Sequence, residues 1–80
     1  MYYVYLIQSL SIPDKKYVGY STNIEKRLEA HNTGNSLSTS HEGPWEMIAC
    51  VAFKDIKKAK EFEKYLKSHS GRAFAQKRFW

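Results

Sequence analysis

Cysteine, proline and long apolar runs are scarce in this chain of 80 residues. The single cysteine, Cys50, cannot form an internal disulfide, and with no export signal at the start of the chain the cytoplasm is the expected compartment. No apolar run approaches the roughly 18 residues that a membrane span needs, so no membrane partner is expected. Repeats, linkers and low-complexity tracts are also lacking, and we therefore predict a single domain over residues 1–80.

The net charge of +5 is distributed unevenly along the chain. Residues 1–53 carry four basic and five acidic side chains, whereas residues 54–80 carry nine basic and three acidic ones. A segregated basic segment favours a polyanionic partner, and nucleic acid is the first candidate. A solvated, lysine-rich helix face would give the same pattern, so charge alone leaves both interpretations open.

Six elements of secondary structure are predicted. Strand-forming residues predict strands over residues 2–10, 16–20 and 45–53. A first helix is predicted from a capping box, Thr22 to Glu25, to a stop at Gly34, followed by a loop over 35–44. Asp55 is expected to cap a second helix that runs to about Ser68, and Gly71 to separate it from a last basic segment that forms a short helix. The order β-β-α-β-α-α indicates an α+β domain, with a three-stranded, mostly antiparallel sheet and flanking helices.

One acidic residue interrupts the apolar side of the second predicted helix. At about 100° per residue, Glu63 falls inside the apolar arc, which comprises Ile56, Ala59, Phe62 and Leu66. A carboxylate on the core side of a helix is normally paired, protonated or bound to a metal ion. The alternative is that Glu63 lies at the edge of the arc and reaches water or a lysine.

Arg27 and His31 lie four residues apart on the first predicted helix and so point the same way. An arginine beside an apolar stripe can simply lay its stem along the core, and a lone histidine is often structural. Together they place a positive fork and a proton-transfer group on one face, a combination that phosphate chemistry uses.

Tyrosines on the first two strands add to this pattern. Tyr3 and Tyr5 share one face of the first strand, and Tyr17 is expected to lie across the hairpin from them. Most strand tyrosines only pack. A tyrosine that acts as a base needs its pKa lowered from about 10, which a neighbouring arginine or metal ion can do.

Four ordered segments of the chain together resemble the GIY-YIG nuclease family, above all its small stand-alone bacterial members. The segments are Tyr3-Val4-Tyr5, Tyr17-Val18-Gly19, the helix motif Arg27-x-x-x-His31-Asn32-x-Gly34, and Glu63. The resemblance covers essentially the whole chain. Tyr3 stands where the first motif of the family has glycine.

The resemblance implies a metal-dependent DNA endonuclease of DNA repair or recombination. It implies a catalytic set of Tyr5, Tyr17, Arg27, His31 and Glu63. In this set Glu63 holds a divalent metal ion, Mg²⁺ or Mn²⁺, and Arg27 binds the phosphate. Tyr5 is favoured as the base, Tyr17 orients water or phosphate, and His31 relays a proton or holds Tyr5.

The partner implied by the resemblance and the basic segment is DNA, bound through its backbone with low sequence specificity. The expected contacts are Lys57, Lys60, Lys64, Lys67, Arg72, Lys77 and Arg78. A homodimer or a partner protein would then supply targeting.

Two other functions stay open from the sequence. One is a nucleic-acid-binding module on the same fold that does not cleave. The other is a protein-interaction domain with an exposed aromatic patch formed by Trp45, Phe79 and Trp80.

Overall fold

The structure is a computed structural model that describes residues 1–33 and 42–80. Its elements are β1 (Tyr2–Ser9), β2 (Lys16–Ser21), α1 (Ile24–Asn32), β3 (Trp45–Phe53), α2 (Ile56–Leu66) and α3 (His69–Arg78). The central strand β1 pairs antiparallel with both neighbours, which gives the order β2-β1-β3. The predicted α+β class and element order are therefore confirmed.

Gly34 and most of the loop predicted over 35–44 lie outside the described residues. Within the two described ranges, no helix is both long enough and apolar enough to cross a bilayer.

Alternation along β1 divides the core into two clusters on opposite faces of the sheet. On one face, Val4 and Leu6 pack against α2 and α3; this cluster also contains Ala59, Leu66 and Ala75. On the other face, Tyr5 and Ile7 lie beneath α1, together with Trp45. The sheet thus separates α1 from the other two helices.

The burial of Trp45 contradicts the prediction of an exposed aromatic patch. Its side chain is only 4% exposed, because it belongs to the cluster beneath α1. Phe79 and Trp80 are partly buried against the cluster on the opposite face of the sheet. The three rings therefore do not form one surface.

The helix ends differ from the prediction at two caps. The N-cap of α1 is Asn23, not Thr22, and its side-chain oxygen accepts a hydrogen bond from the Lys26 N–H at 3.1 Å. Asp55 caps α2 as predicted, but α2 ends at Leu66. Ser68 belongs to the next helix, since its hydroxyl accepts from a backbone N–H in the first turn of α3 and caps it.

Gly71 lies inside α3 rather than before it. A Cβ at this position would lie 1.7 Å from the carbonyl oxygen of Tyr65 in α2. Glycine is thus required by the close approach of two helices, and not as a break in the chain.

Candidate active site

The ring of Tyr5 passes over Gly19, its direct partner on β2. A Cβ at residue 19 would lie 2.4 Å from both Cζ and the hydroxyl oxygen of Tyr5. Any side chain at this position would therefore displace the hydroxyl end of the ring. Because β2 is an edge strand, the absence of a side chain at Gly19 lets the Tyr5 hydroxyl lie at that edge of the sheet.

The Tyr5 hydroxyl lies 2.8 Å from Nε2 of His31. Both side chains are buried, at 2% and 1% exposure. The ring of Tyr17 adjoins this pair, with its centroid 6.2 Å from that of Tyr5 and 5.1 Å from that of His31. Three of the predicted catalytic residues thus form one cluster.

Asn32 fixes the end of α1 that carries His31. Its side-chain oxygen accepts from the N–H of Trp45 at 2.6 Å, and its amide nitrogen donates to the carbonyl of Trp45 at 3.2 Å. These two bonds join the last residue of α1 to the first residue of β3. No role was predicted for Asn32 from the sequence, although its place directly after His31 in the helix motif was a signal.

The pKa of Tyr5 depends on its burial and on the neighbouring Tyr17, Arg27 and Glu63 side chains. Burial raises the pKa of Tyr5 above its ordinary value, the neighbouring Tyr17 raises it further, the Arg27 guanidinium lowers it, and the Glu63 carboxylate raises it. Arg27 therefore acts as expected of a neighbouring cation, but burial outweighs it. A standing phenolate at Tyr5 is disfavoured, contrary to the expectation that its pKa would be lowered.

His31 is neutral at physiological pH. Burial lowers its pKa, and the Arg27 guanidinium lowers it further, because both disfavour the imidazolium. Arg27 itself is exposed on α1. The site thus combines a fixed cation with a neutral imidazole.

Glu63 lies on α2, on the opposite face of the sheet from Tyr5. Its side chain is 24% exposed, which agrees with the alternative interpretation that Glu63 lies at the edge of the apolar arc and reaches water or a lysine. The carboxylate accepts a hydrogen bond from Nζ of Lys67 at 3.0 Å, so it is paired with a lysine. Ile56, assigned to the same apolar arc, is instead 44% exposed.

Glu63 is a lone carboxylate. In residues 1–33 and 42–80, no three His, Cys, Asp or Glu side chains gather closely enough to form a metal-ligand cluster. One carboxylate with access to solvent suits Mg²⁺, which usually keeps several waters and takes one or two carboxylates together with substrate phosphates. The chemistry of Glu63 therefore fits a weak, mostly hydrated ion.

An open groove of about 470 Å³ adjoins Tyr17, between β2 on one side and α2 and α3 on the other. Two of the predicted DNA contacts, Lys67 and Arg72, line it. Two residues that the sequence analysis did not assign to DNA also line it, Lys16 and Trp80, and the ammonium of Lys16 lies 5.4 Å from the centroid of the Trp80 ring. The remaining predicted contacts are exposed on α2 and α3: Lys57, Lys60, Lys64, Lys77 and Arg78.

Residues 1–78 match the model of the GIY-YIG catalytic domain. The chain belongs to the GIY-YIG family. This confirms the predicted family, and with it the prediction that the chain has the fold of a GIY-YIG enzyme.

Relatives of this GIY-YIG chain include proteins of two very different lengths. It is 40% identical over 58 residues to the structure-specific endonuclease subunit SLX1 homolog of Drosophila mojavensis, which covers 62% of this chain and 19% of that protein. It is 32% identical over 68 residues to the UPF0213 protein CPE1444 of Clostridium perfringens, covering 84% of this chain and 71% of that protein. The chain thus spans less than a quarter of the SLX1 relatives that it matches.

The fold of this GIY-YIG chain is also similar to a solved structure. The solution NMR structure of the UPF0213 protein BH0048 from Bacillus halodurans matches with a TM-score of 0.57 and 29% identity. The match covers 95% of this chain and 81% of that chain. These comparisons give no support to the predicted homodimer.

Proposed function

We propose that this chain is a divalent-metal-dependent endonuclease that hydrolyses phosphodiester bonds in DNA, in repair or recombination. One observation carries the proposal: the buried Tyr5 hydroxyl and Nε2 of His31 lie within hydrogen-bond distance, and the exposed Arg27 is one helical turn from His31 on α1. Glu63 lies on a separate helix, α2. The matched catalytic-domain model supports the proposal, as do relatives named as structure-specific endonuclease subunits.

Arg27 binds the scissile phosphate. Its planar guanidinium donates to two phosphate oxygens at once, and it is exposed, so a substrate phosphate reaches it without rearrangement of the core. The contact strengthens as negative charge develops on those oxygens in the transition state. Arg27 thus contributes mainly to the rate of the chemical step.

Tyr5 and His31 move the proton of the attacking water. The neutral imidazole of His31 accepts the Tyr5 proton at Nε2, while the Tyr5 oxygen takes a proton from the water. A free phenolate is never formed, in keeping with the raised pKa of Tyr5. The water oxygen bonds to phosphorus as the bond to the departing sugar oxygen breaks, and that oxygen takes a proton from solvent. Tyr17, beside both rings, orients the water.

Glu63 would hold the divalent ion, Mg²⁺ or Mn²⁺, in accord with the general metal dependence of GIY-YIG nucleases. When bound, such an ion polarises the phosphate and stabilises the negative charge on the departing oxygen. Lys67 competes with the ion for this carboxylate, because its Nζ donates a hydrogen bond to Oε2 of Glu63 in the free protein.

The basic side chains of α2 and α3 bind the phosphates of the DNA backbone. Contacts to phosphate give affinity without sequence information, so we expect low sequence specificity from this chain. A partner protein then supplies targeting.

Nicking of plasmid, branched and single-stranded DNA in Mg²⁺ tests this function. Arg27→Ala and Glu63→Gln should each reduce the rate by at least about 10²-fold, the loss that follows removal of one strong transition-state contact. The matched controls are Lys26→Ala and Glu61→Gln, which remove exposed charges from the same two helices and should keep most of the activity. Cleavage that survives both site substitutions, or an excess of chelator, would reject the mechanism.

A second function, a nucleic-acid-binding module that does not cleave, is favoured by one observation. Glu63 already has a partner in Lys67, as a purely structural carboxylate would. DNA binding in EDTA, with no cleavage of any of the three substrates in Mg²⁺ or Mn²⁺, would establish this function in place of the first.

A further inference from the structure

We propose that the groove between β2 and α3 binds one unpaired nucleotide of a single-stranded DNA segment, with its base stacked on Trp80 and its phosphate held by Arg72. We call it the nucleotide groove; its lining is Lys16, Tyr17, Val18, Leu66, Lys67, Arg72, Ala75, Gln76 and Trp80. The position of this nucleotide next to the scissile phosphate rests on the proposed function. The binding itself does not.

Trp80 provides a fixed platform for a base. It is partly buried against the core, and its backbone N–H donates to the carbonyl of Ala75 at 3.0 Å, so its ring is held in place while part of it faces the groove. The ammonium of Lys16 lies over this ring, 5.4 Å from its centroid and within the range of a cation–π contact, so a base that stacks on Trp80 displaces it toward the nucleotide's phosphate. Aromatic faces with cations beside them are the usual elements of single-strand binding, because every base has a π-face.

The charged side chains that line the groove are all positive. Lys16, Lys67 and Arg72 line it, and no acidic residue does so in the described part of the chain. Over the same residues, Lys16 and Arg72 form no ion pair with an acidic side chain. A purely apolar ligand would leave these cations unmatched, and a bare phosphate would leave the Trp80 ring uncovered. A nucleotide satisfies both, and the amide of Gln76 can hydrogen-bond its base.

Two lining residues of the nucleotide groove also contact proposed catalytic residues. Tyr17 lines the groove, and its ring centroid lies 5.1 Å from that of His31. Lys67 also lines the groove, and its Nζ lies 3.0 Å from the Glu63 carboxylate. A strand held in the groove therefore lies beside Tyr17 and Lys67, each of which adjoins a proposed catalytic residue.

The occupant must be unpaired, because a base inside a duplex has both faces covered by its neighbours. The groove volume of about 470 Å³ lies within the roughly 300–1,000 Å³ range of pockets that hold small ligands, so it has room for one extruded nucleotide. The groove thus selects substrates with a single-stranded segment beside the cleaved bond.

Fluorescence anisotropy in EDTA tests this inference without cleavage. The probes are a labelled oligothymidylate of about 10 nucleotides, within the site sizes of single-strand grooves, and a duplex of the same length. Trp80→Leu and Arg72→Gln should each weaken single-strand binding by about ten-fold, the effect of losing one stacking platform or strong contact, with little change for the duplex. The control Arg78→Gln, an exposed cation of α3 outside the groove, should weaken both probes alike.

A second variant guards against misfolding, since Trp80 contacts the core. Trp80→Phe keeps a stacking ring and should retain most of the single-strand affinity, while Arg72 is exposed and its replacement leaves packing unchanged. Equal losses on the two probes, or no loss for both Trp80→Leu and Arg72→Gln, would overturn the inference. A protein that binds single strands through Trp80 but cleaves nothing would reject the nuclease and keep the groove. Cleavage of single-stranded DNA that is insensitive to both groove substitutions would keep the nuclease and reject the groove.

Discussion

Nε2 of His31 lies 2.8 Å from the hydroxyl oxygen of Tyr5, beside the cluster beneath α1. Each of these buried polar groups provides the hydrogen bond that the other needs, which avoids the cost of burying either one unpaired. The bond also joins α1 to the central strand of the sheet. The pair is therefore positioned before any substrate arrives.

Tyr5→Phe isolates the chemical role of this hydroxyl. The ring and its packing are kept, so we expect a loss of stability of about 1–3 kcal/mol, the cost of taking a hydrogen bond away from a buried polar group, here Nε2 of His31. The rate of DNA nicking should fall by at least about 10²-fold, since the proton path is broken. Urea unfolding and single-turnover nicking measure the two effects. Tyr2→Phe, on the opposite face of β1, is the control, and equal activities of the two variants would contradict the proposed proton path.

The burial of His31 predicts a pH-dependent stability. Because its pKa is lowered in the folded protein, the unfolded chain takes up this proton at a higher pH than the folded protein does. The free energy of unfolding should therefore be unaffected by this group above its unfolded pKa of about 6.5 and fall as the pH drops below it, by at most about 1.4 kcal/mol per pH unit.

Urea unfolding between pH 7 and about pH 5 measures this effect, since the unfolded histidine titrates in that window. The variant His31→Gln should lose this component of the slope. His69→Gln, which replaces an exposed histidine at the start of α3, should keep the wild-type slope. Parallel curves for His31→Gln and the wild-type protein would show that His31 is not the group responsible.

Local patterns predicted most of the fold, because strands and caps depend on neighbours in sequence. The strand Trp45–Phe53 and the cap at Asp55 occur where alternation and side-chain chemistry place them. Gly71 shows where this approach fails. A glycine is required at this position by the contact with the carbonyl of Tyr65. In the sequence, a glycine required by a tertiary contact cannot be told from a glycine that ends a helix.

Some residues of the candidate site could likewise be predicted from the sequence, and others could not. Glu63 could be singled out from the sequence because a charge on an apolar helix face is visible within one element. Lys16 and Trp80 could not be, since their contact joins residues far apart in the chain. Lys16 also belongs to residues 1–53, which carry no net positive charge, whereas the charge pattern favours the basic helices.

Gly19→Ala should displace the Tyr5 ring. The added methyl group would lie 2.4 Å from the Tyr5 hydroxyl oxygen, so ring or strand must shift, at a cost of about 1–3 kcal/mol in unfolding free energy. Nicking activity should fall about as far as in Tyr5→Phe, and the two substitutions combined should cost little more activity than either alone. Gly43→Ala is the matched control, because its Cβ would meet nothing closer than 3.6 Å. Full activity of Gly19→Ala would show that the position of the Tyr5 hydroxyl is unimportant.

Lys67→Gln should strengthen metal binding at Glu63 in the absence of DNA. The lysine ammonium lies 3.0 Å from Oε2 of Glu63, and its positive charge opposes a divalent ion at the same carboxylate. Exposed ion pairs of this kind contribute about 0.2–1 kcal/mol, so the dissociation constant for Mn²⁺ should fall by about 1.5- to 5-fold. Titration of the free protein with Mn²⁺, followed by electron paramagnetic resonance, measures this directly. Lys64→Gln removes the same charge from an exposed position on α2 and should change the constant less. An unchanged or weaker Mn²⁺ affinity in Lys67→Gln would mean that the ion does not bind where Lys67 now sits, and Glu63 would lose its proposed role as the metal ligand.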